Sequence, residues 1–588
     1  MLRQLRLQTA EYLANELRNL LPDQNLISAE NLTAVLEPPK KLEHGHLAFP
    51  VFPLAKQLRQ APPVIANQIA NHLKALIEAN SKSTKDLGLI SAVPAGGFLN
   101  LTFSDESLQA RLFKAVSTDG ERLGCSTAGA GKRVVIDYSS PNVAKPMHIG
   151  HLRATAIGQS IRNLAETQGY EVIGLNHLGD WGVQFGKLAW AFREWGSEYD
   201  FKGQPFKSLF DIYVRFHEEA EKNPELEAKG SLVFKELEQG SKDVEEIWKM
   251  FVKISLVEYQ RLWDLLGVKH DLVRGESFYN DRLKPVEEML EKKGLLKESE
   301  GAIVVDLGEE MPPCLIRKSD GASLYATRDL ASAMYRMTEL KADLNLYVVG
   351  FDQSLHFKQV FKVLELAGFD WVKNCHHISF GMYRFKEGMK MSTRKGNVIF
   401  LEDVLNQSIE RTAKLIAIKN PSLTSEQQRS IAQDVGVGGV IFGDLVFDRV
   451  KNVEFDWDRI LSFDGDSGPY VQYMHVRCAS LLRKYKEAGK TASYVNVAKL
   501  SEPDERELVR LLMAYDETLA AAFRIFKPNI LAQYLLEVCG AFSRFYHNNR
   551  ILGEAADVES SRMALVSATQ AVLFQGLKNL SIRAPEMM

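Results

Sequence analysis

Two histidines three residues apart, His148 and His151, lie where a buried strand gives way to a helix. The apolar residues 134–136 predict the strand, and apolar positions that share one face of residues 152–165 predict the helix. Backbone N–H groups in the first turn of a helix lack partners and attract phosphate. Gly150 leaves room for a flat ring against the backbone. The pattern therefore predicts a phosphate-binding turn with two imidazoles on one helix face.

A second set of groups that could handle phosphate lies far along the chain, in residues 390–397. This stretch is rich in small residues and contains Lys390, Arg394 and Lys395, with Ser392 between them. Three cations in one loop can neutralise charge that develops on a triphosphate. The same composition is common in a solvated basic turn, which is the more ordinary interpretation of this stretch by itself. The histidine turn and the basic loop together are far more specific.

These groups need a scaffold, and the order of strands and helices predicts one. Extended and helical segments alternate from residue 133 to about 400, with 302–307 among the strands. Such alternation predicts an open parallel sheet, which binds ligands beyond the carboxyl ends of its strands. From about 200 to 265 the chain is charged and helical, which we interpret as an insertion.

A chain of 588 residues is too long for a single hydrophobic core,. We expect an α/β protein with a Rossmann-like parallel-sheet catalytic domain that carries inserted helices. A small α/β domain precedes it, and an all-α domain follows, because strand signals fade after about residue 400. The expected bounds are 1–110 for the N-terminal domain, 120–400 for the catalytic domain, 401–460 for a linking helical segment and 461–588 for the all-α domain.

Composition limits the class of protein. A net charge of −3 provides no overall basic field, so any RNA contact must use local patches,. The five cysteines form no CxxC pair, which predicts reduced thiols and no zinc site,. Cys375, His376 and His377 are adjacent and point apart on a helix or a strand, so no metal cluster is expected. No run of about 18 apolar residues occurs, and the N-terminal arginines are mixed with acidic residues, so we expect a cytoplasmic protein.

The chain resembles the class I aminoacyl-tRNA synthetases in its paired motifs, His148-Ile149-Gly150-His151 and, after the second half of the sheet, Lys390-Met391-Ser392-Thr393-Arg394. Within that class it is similar to the arginyl-tRNA synthetases over essentially its whole length. The matching segments are residues 139–146, 176–186, 275–277, 325–329, 350–353, 356–359 and 584–588. Met587 stands where the family usually has Arg.

The resemblance implies the reaction ATP + L-arginine + tRNA → AMP + pyrophosphate + arginyl-tRNA. The implied partners are tRNA(Arg), L-arginine and ATP, with Mg²⁺ held mostly by phosphate oxygens and water. The family also implies that arginine activation requires bound tRNA. We expect a monomer with no membrane partner.

The resemblance assigns the nucleotide contacts to the two motifs. The expected catalytic residues are His148, His151, Lys145, Lys390 and Lys395. The expected ATP contacts are His148, Gly150, His151, Lys390, Ser392 and Arg394. Many family members lack the first Lys of the second motif and use a Lys just before the first motif. This chain has both, so the sequence leaves open whether Lys145 or Lys390 carries the main phosphate role.

Arginine recognition requires carboxylates that can pair with a planar guanidinium. Tyr325 and Asp329 are four residues apart, so they face one pocket if a helix begins near Thr327. Asp329 would pair with the guanidinium while Tyr325 packs against the substrate stem; the ordinary alternative for Asp329 is a first-turn residue favoured by the helix dipole. Family matching adds Asp137, Asn142 and His151 at the amino and carboxylate end of the substrate, and Glu276 and Gln353 in the pocket. The ordinary alternatives are a strand-end turn for Asp137, a loop charge for Glu276 and a helix-entry residue for Gln353.

Aromatic side chains are the expected means of tRNA contact, because they receive splayed bases. The N-terminal domain resembles the family's elbow-binding domain, in which Phe98 and Asn100 match positions that contact a flipped D-loop base. The C-terminal domain resembles its anticodon-binding domain, with Tyr470, Tyr473 and Tyr546 as expected contacts. Each of these residues, and Phe542 beside them, has the alternative of an ordinary core position.

Two other functions compete with this hypothesis. A class I synthetase for glutamine, glutamate or cysteine would share the motifs, although cysteine specificity requires zinc ligands that are absent here. Glutamate specificity requires a cationic pocket rather than Tyr325 and Asp329. An inactive RNA-binding paralogue is the second alternative, and the intact His148, His151, Lys390 and Lys395 argue against it.

Overall fold

The N-terminal part of the chain folds into a three-stranded antiparallel sheet covered by helices. The computed structural model describes residues 1–20, 28–39, 44–318, 325–384, 399–492 and 500–588. Leu99, Leu101 and Phe103 alternate along one strand and are buried on its inner face,. The elements are α1 (Leu2–Leu20), α2 (Ala29–Val35), β1 (Leu47–Pro50), α3 (Phe52–Leu58), α4 (Pro62–Glu78), α5 (Lys82–Leu87), β2 (Leu89–Ala95), β3 (Phe98–Phe103) and α6 (Asp105–Asp119).

A five-stranded parallel sheet in the order β11-β10-β4-β5-β6 forms the centre of the molecule. The strands are β4 (Arg133–Asp137), β5 (Glu171–Asn176), β6 (Leu272–Val273), β10 (Leu344–Tyr347) and β11 (Cys375–His377). The chain leaves β4 toward β5 on one side and later adds β10 on the other side, so the strand order reverses at β4. This reversal opens a crevice at the carboxyl ends of the strands, as the alternation of strands and helices predicted.

Helices flank the strands of this sheet along the chain. These helices are α7 (Ile149–Thr167), α8 (Val183–Trp195), α9 (Pro205–Lys222), α10 (Glu225–Glu238), α11 (Lys242–Leu265), α12 (Asn280–Lys292), α13 (Tyr325–Met334) and α14 (Ser354–Leu366). The insertion comprises α9, α10 and α11, and all three have amphipathic faces that bury apolar residues,.

The expected strand at 302–307 lies outside the parallel sheet, contrary to the prediction. It forms β8 (Ala302–Val305) between β7 (Leu296–Ser299) and β9 (Cys314–Arg317) in a separate antiparallel sheet. The two residues that join β7 to β8 are Glu300 and Gly301, with φ angles of 49° and 76°. A two-residue turn with both φ angles positive produces a hairpin and cannot produce a parallel crossover.

Among the residues that the structure describes from 383 onward, the regular structure is helical apart from one short strand pair. β12 (Tyr383–Arg384) pairs in parallel with β13 (Val453–Glu454), which places a strand in the stretch expected to be a helical link. The helices are α15 (Leu401–Lys419), α16 (Ser425–Leu445), α17 (Trp457–Ile460), α18 (Gly468–Glu487), α19 (Pro503–Met513), α20 (Tyr515–Arg524), α21 (Asn529–Asn548) and α22 (Ala556–Asn579). Within the ranges that the structure describes, no helix is long and apolar enough to span a membrane.

A buried ion pair joins α7 to the helical part of the chain. Arg153 Nε lies 2.9 Å from Asp444 Oδ1, and the two side chains are 1% and 0% exposed. Arg153 also donates hydrogen bonds to the carbonyl oxygens of Gly381 and Lys451, both at 2.8 Å. Tyr383 O–H donates to Asp444 Oδ1 at 2.8 Å. These contacts fasten α7, α16 and the segment that leads into β12 to one another.

We expect Asp444→Asn to lower the free energy of unfolding of this helical body by about 3–5 kcal/mol, because Arg153 would remain buried without a counter-charge. Urea denaturation followed by circular dichroism measures the change. The control is Glu410→Gln, which breaks an exposed pair with Lys414 on α15 and should leave the unfolding midpoint in place. Equal midpoints for Asp444→Asn and the control would contradict the stabilising role of the buried pair.

Candidate active site

The rings of the two histidines cap the N-terminal end of α7 by accepting hydrogen bonds from backbone N–H groups of the same turn. His148 is the N-cap residue, and its Nδ1 accepts a hydrogen bond from the N–H of Gly150 at 3.0 Å. The N–H of His148 donates in turn to Nδ1 of His151, also at 3.0 Å. A Cβ atom on residue 150 would lie 2.8 Å from the His148 ring, so Gly150 is required for this close approach,. The predicted strand-to-helix turn with two histidines is therefore present, and its ring centroids are 3.9 Å apart. The N–H groups of residues 148–151, which the sequence predicted to lack partners, all donate hydrogen bonds within the protein.

Both imidazoles are neutral at physiological pH and carry their proton on Nε2. Burial lowers the pKa of His148 below its ordinary value. Burial, and then the neighbouring His148, lower the pKa of His151 to about 3. Since each Nδ1 accepts from a backbone N–H, the remaining proton of each ring is on Nε2. The turn consequently offers two uncharged Nε2–H donors next to the start of a helix.

Residues 399–401 pair with the histidine turn and attach the α15 end of the chain to it. The N–H of Ile149 donates to the carbonyl oxygen of Ile399 at 3.1 Å, and the N–H of Leu401 donates to that of Met147 at 2.9 Å. The predicted site residues Lys390, Ser392, Arg394 and Lys395 lie outside the described residues. The described residues resume at Ile399, and the next residue, Phe400, forms an antiparallel β-bridge with His148.

The insertion holds the loop that carries Lys145. Lys145 Nζ lies 5.1 Å from the ring centroid of Tyr213 on α9. Tyr259 on α11 is fully buried and donates its O–H to the carbonyl oxygens of Asn142, at 2.6 Å, and Lys145, at 2.8 Å. Sequence reasoning did not identify either tyrosine, because only the folded insertion brings these helices against the loop after β4.

Asn142 packs directly on a glycine of the loop after β5. Asn142 and Gly179 form a parallel bridge, and a Cβ atom on residue 179 would lie 1.9 Å from Asn142 Oδ1. Asn142 is nevertheless exposed at the open end of the sheet. Gly179 therefore makes the space in which this predicted substrate contact is placed.

Asp137, at the end of β4, is already paired inside the protein. Its Oδ2 accepts from Arg336 Nη2 at 2.9 Å, and its Oδ1 accepts from the Ser140 hydroxyl at 3.0 Å. Arg336 is 0% exposed and belongs to a π-helical turn, Tyr335–Glu339, that follows α13. Burial by itself would lower the pKa of Arg336, but the Asp137 carboxylate reverses this and raises it. The sequence analysis missed Arg336, for which no local pattern gives a signal.

Asp329 lies in the second turn of α13, where it is held by a histidine of the next helix. The helix begins at Tyr325, two residues before the expected start near Thr327, and the side chain of Tyr325 lies outside the described part of the structure. His356 Nε2 lies 2.6 Å from Asp329 Oδ2. Burial raises the pKa of Asp329, but the His356 hydrogen bond and nearby positive groups outweigh it and hold the pKa below its usual value. Asp329 is thus an anion.

Glu276 follows β6 and lies within electrostatic reach of the carboxylates of Asp180 and Asp329. Burial raises its pKa to about 7; Asp180 and Asp329 add to this rise, whereas Arg328 opposes it. Asp180 itself is fixed by the N–H of Ser277, at 2.8 Å, and by the Ser277 hydroxyl, at 2.7 Å. Near pH 7 both the protonated and the ionised form of Glu276 are therefore populated, whereas Asp329 is ionised.

The predicted residues meet at the carboxyl edge of the parallel sheet. His177, which follows β5, lies within electrostatic reach of both Asp137 and Asp329, so the two carboxylates are near the same imidazole ring. Gln353 is exposed at the turn after β10, where it caps α14 without a side-chain hydrogen bond. In the described ranges, no group of three or more His, Cys, Asp or Glu side chains could hold a metal ion.

The residues expected to contact RNA are remote in sequence from this edge. Phe98 packs edge-on against Phe52, with centroids 5.4 Å apart, and Phe52 is 50% exposed. Phe98 and Asn100 alternate with the core residues of β3 and so belong to its opposite face,. Asn100 on this face is 8% exposed.

Aromatic residues of α18 and α21 form a second surface group around an arginine. Arg477 lies 4.9 Å from the ring centroids of both Tyr473 and Tyr546, and its Nη2 donates to the Tyr473 hydroxyl at 3.0 Å. Tyr470 is half-buried one turn before Tyr473, and Phe542 is fully buried. Phe542 is thus a core residue, which is the alternative that the sequence left open for it.

This fold and the capped histidine turn place the molecule among the class I aminoacyl-tRNA synthetases. A family described as tRNA synthetases class I (R), catalytic domain, matches residues 114–457. The Arginyl tRNA synthetase N terminal domain matches residues 8–103, and the DALR anticodon binding domain matches residues 471–588. The chain belongs to the arginyl-tRNA synthetase family.

Relatives of known name match along nearly the whole chain. The arginine–tRNA ligase of Clostridioides difficile (strain 630) is 44% identical over 563 residues, which cover 96% of this chain and 97% of the relative. Arginine–tRNA ligase 2 of Bacillus anthracis is 43% identical over 582 residues and covers 99% of both chains. The solved structure of Thermus thermophilus arginyl-tRNA synthetase superposes with a TM-score of 0.79 at 26% identity, covering 94% of this chain and 96% of the other.

We expect His151 to stay neutral with Nε2 protonated from pH 8 to pH 6, because burial lowers its pKa to about 3, and we expect His148 to protonate at a lower pH than free histidine, because burial lowers its pKa. Nitrogen NMR of protein labelled with ¹⁵N-histidine distinguishes the tautomers, and His148→Gln and His151→Gln assign the two signals. Free histidine, which has a pKa of about 6.5, serves as the reference in the same titration. Protonation of His151 above pH 6, or of His148 at or above the pH at which free histidine protonates, would contradict this assignment.

Proposed function

We propose that this protein is an arginine–tRNA ligase that converts ATP, L-arginine and tRNA(Arg) to AMP, pyrophosphate and arginyl-tRNA. The observation that carries the proposal is the meeting of two opposite kinds of group at one sheet edge. The histidine turn supplies uncharged donors suited to phosphate, and Asp329 with Glu276 supplies carboxylates suited to a guanidinium,. Membership of the arginyl-tRNA synthetase family supports the same reaction.

In the first step the arginine carboxylate attacks the α-phosphate of ATP and pyrophosphate leaves. Such transfer depends mainly on positioning and on neutralising charge in the transition state. The Nε2–H groups of His148 and His151 donate to phosphate oxygens, because the Nδ1 atom of each ring already accepts from a backbone N–H. Lys145, Lys390, Ser392, Arg394 and Lys395 are the further phosphate contacts in this proposal. Tyr213 supports Lys145 as one of them, because it holds that ammonium beside the histidine turn.

Phosphate oxygens and water would hold the Mg²⁺ that accompanies ATP, and this ion would supply further positive charge at the phosphates. The described residues contain no cluster of metal ligands for it. In the second step the 3′-terminal ribose of tRNA attacks the arginyl-adenylate. Activation before that step requires bound tRNA, as the family resemblance implies.

For arginine itself, Asp329 pairs with the guanidinium and Glu276 approaches it from the end of β6. Tyr325 and Gln353 complete the proposed pocket, and Asn142, His151 and Asp137 lie toward the amino and carboxylate end. Asp137 contributes through its fixed pair with Arg336.

For tRNA, the proposed contacts are Phe98 and Asn100 at the elbow and Tyr470, Tyr473 and Tyr546 at the anticodon. Exposure of the Phe52–Phe98 pair supports the first contact. The stacked arrangement around Arg477 supports the second. The domain bounds proposed from the sequence, a cytoplasmic location and a monomeric state belong to the same proposal.

ATP–pyrophosphate exchange with each amino acid, with and without tRNA(Arg), tests the function, and we expect exchange with arginine only when tRNA is present. Asp329→Asn should raise the KM for arginine by at least roughly 30-fold, because a buried charge partner is lost. The KM for ATP should stay the same. Exchange with another amino acid would contradict arginine specificity, and no exchange under any condition would favour the inactive paralogue.

We expect the KM for arginine to fall about tenfold between pH 6 and pH 8, because the guanidinium binds the ionised form of Glu276 and burial places the pKa of this carboxyl at about 7,. Below that pKa, arginine must displace a proton. Glu276→Gln should give a KM that is high and independent of pH over this range. The KM for ATP is the internal control; a wild-type arginine KM that is flat with pH would exclude Glu276 from the pocket.

A further inference from the structure

His356 is the one described side chain that forms a hydrogen bond with Asp329, and the pair is partly shielded from water. His356 Nε2 and Asp329 Oδ2 are 2.6 Å apart, with the side chains 26% and 20% exposed. Because an ionised carboxylate only accepts, Nε2–H of His356 is the donor. His356 is the third residue of α14, which directly follows β10 and the Gly350–Gln353 turn. The histidine therefore ties the carboxylate on α13 to the carboxyl edge of the central sheet.

We propose that His356 is the positioning residue for the guanidinium-binding carboxylate: it holds Oδ2 of Asp329 and leaves Oδ1 for the arginine side chain. The inference rests on the proposed role of Asp329. Within the described ranges, no hydrogen bond reaches Asp329 Oδ1. A carboxylate that is free to rotate would lose conformational entropy when it pairs with a guanidinium. Fixing one oxygen in advance removes that cost and directs the other oxygen.

Asp329 also needs a partner that stabilises its ionised form, because several titratable groups surround it. Asp329 is faced by groups from six parts of the fold: His177 after β5, Glu276 after β6, Cys314 on β9, Arg336 in the π-helical turn, Tyr347 on β10 and His356 on α14. Glu276 is the like charge among them and favours protonation of its neighbours. At Asp329 burial favours the protonated form, and the hydrogen bond from His356 opposes burial, so that the carboxylate stays ionised while Glu276 takes up the proton.

The first test removes the donor and then restores it. We expect His356→Leu to raise the KM for arginine roughly 10- to 100-fold, because a hydrogen bond to a charged group contributes on that order. The kcat and the KM values for ATP and tRNA should not change. His356→Gln presents an amide N–H near the place of Nε2–H and should restore the KM to within about threefold of wild type.

The second test separates positioning from a merely structural effect. His356→Leu combined with Asp329→Asn should be no worse for arginine than Asp329→Asn by itself, because His356 acts only through the Asp329 carboxylate. Additive losses would overturn the proposal, as would a His356→Leu variant whose arginine KM equals that of wild type. Lys358→Ala, an exposed change on the same helix, is the matched control and should leave every kinetic parameter unchanged.

The outcomes also distinguish this inference from the function on which it rests. If Asp329→Asn leaves arginine kinetics intact, the guanidinium role of Asp329 is wrong and the positioning role of His356 falls with it. If Asp329→Asn impairs arginine use while His356→Leu does not, only the positioning role is wrong. Thermal denaturation of each variant should give a melting temperature close to that of wild type, and a large drop for His356→Leu together with a lower kcat would assign the histidine a structural role instead.

Discussion

Three carboxylates, on Asp137, Glu276 and Asp329, come to the carboxyl edge of one parallel sheet, and like charges at such a site repel one another. The fold compensates each of them differently. Arg336 neutralises Asp137 permanently, with a guanidinium that is 0% exposed. His356 keeps Asp329 ionised by a hydrogen bond, whereas Glu276 has a pKa of about 7 and can hold a proton. The negative charge that the proposed guanidinium site offers is therefore concentrated on Asp329, and Glu276 adds to it when ionised.

The same edge also has to accept a polyanion, and the histidine turn makes this compatible with nearby carboxylates. Two protonated histidines would attract the carboxylates as well as phosphate and would repel each other at a centroid separation of 3.9 Å. The reciprocal cap avoids both effects, because the backbone N–H groups occupy each Nδ1 and burial keeps the rings neutral. In the proposed function, phosphate contact would then depend on the Nε2–H groups of the two rings, and the full positive charges would come from lysine and arginine side chains.

Local sequence patterns predicted the groups that act close to their own strand or helix. The histidine turn, the parallel sheet and the α13 position of Asp329 follow from residue spacing, because strand-to-helix turns and i, i+4 pairs are local. Arg336, His356 and Tyr213 could not be found in this way, since each reaches the site from a different element and only tertiary packing brings it there. The β7–β8 hairpin was missed for a related reason: its two-residue turn, Glu300-Gly301, is a short signal inside a longer alternation of strands and helices.

The proposed dependence of activation on tRNA has to act through a helix that is firmly held. α7 carries the histidine turn at its N-terminal end and is fixed in its second turn by Arg153, whose buried pair with Asp444 is costly to break,. Farther along, the Ser160 hydroxyl donates to the carbonyl oxygen of Asn579 at the end of α22. Rotation of α7 would disrupt both contacts at once, and a packed core does not deform gradually. Binding of tRNA is therefore expected to adjust the loops beside the N-terminal end of α7, where the Lys145 loop rests on Tyr213 and Tyr259, while the helix itself stays in place.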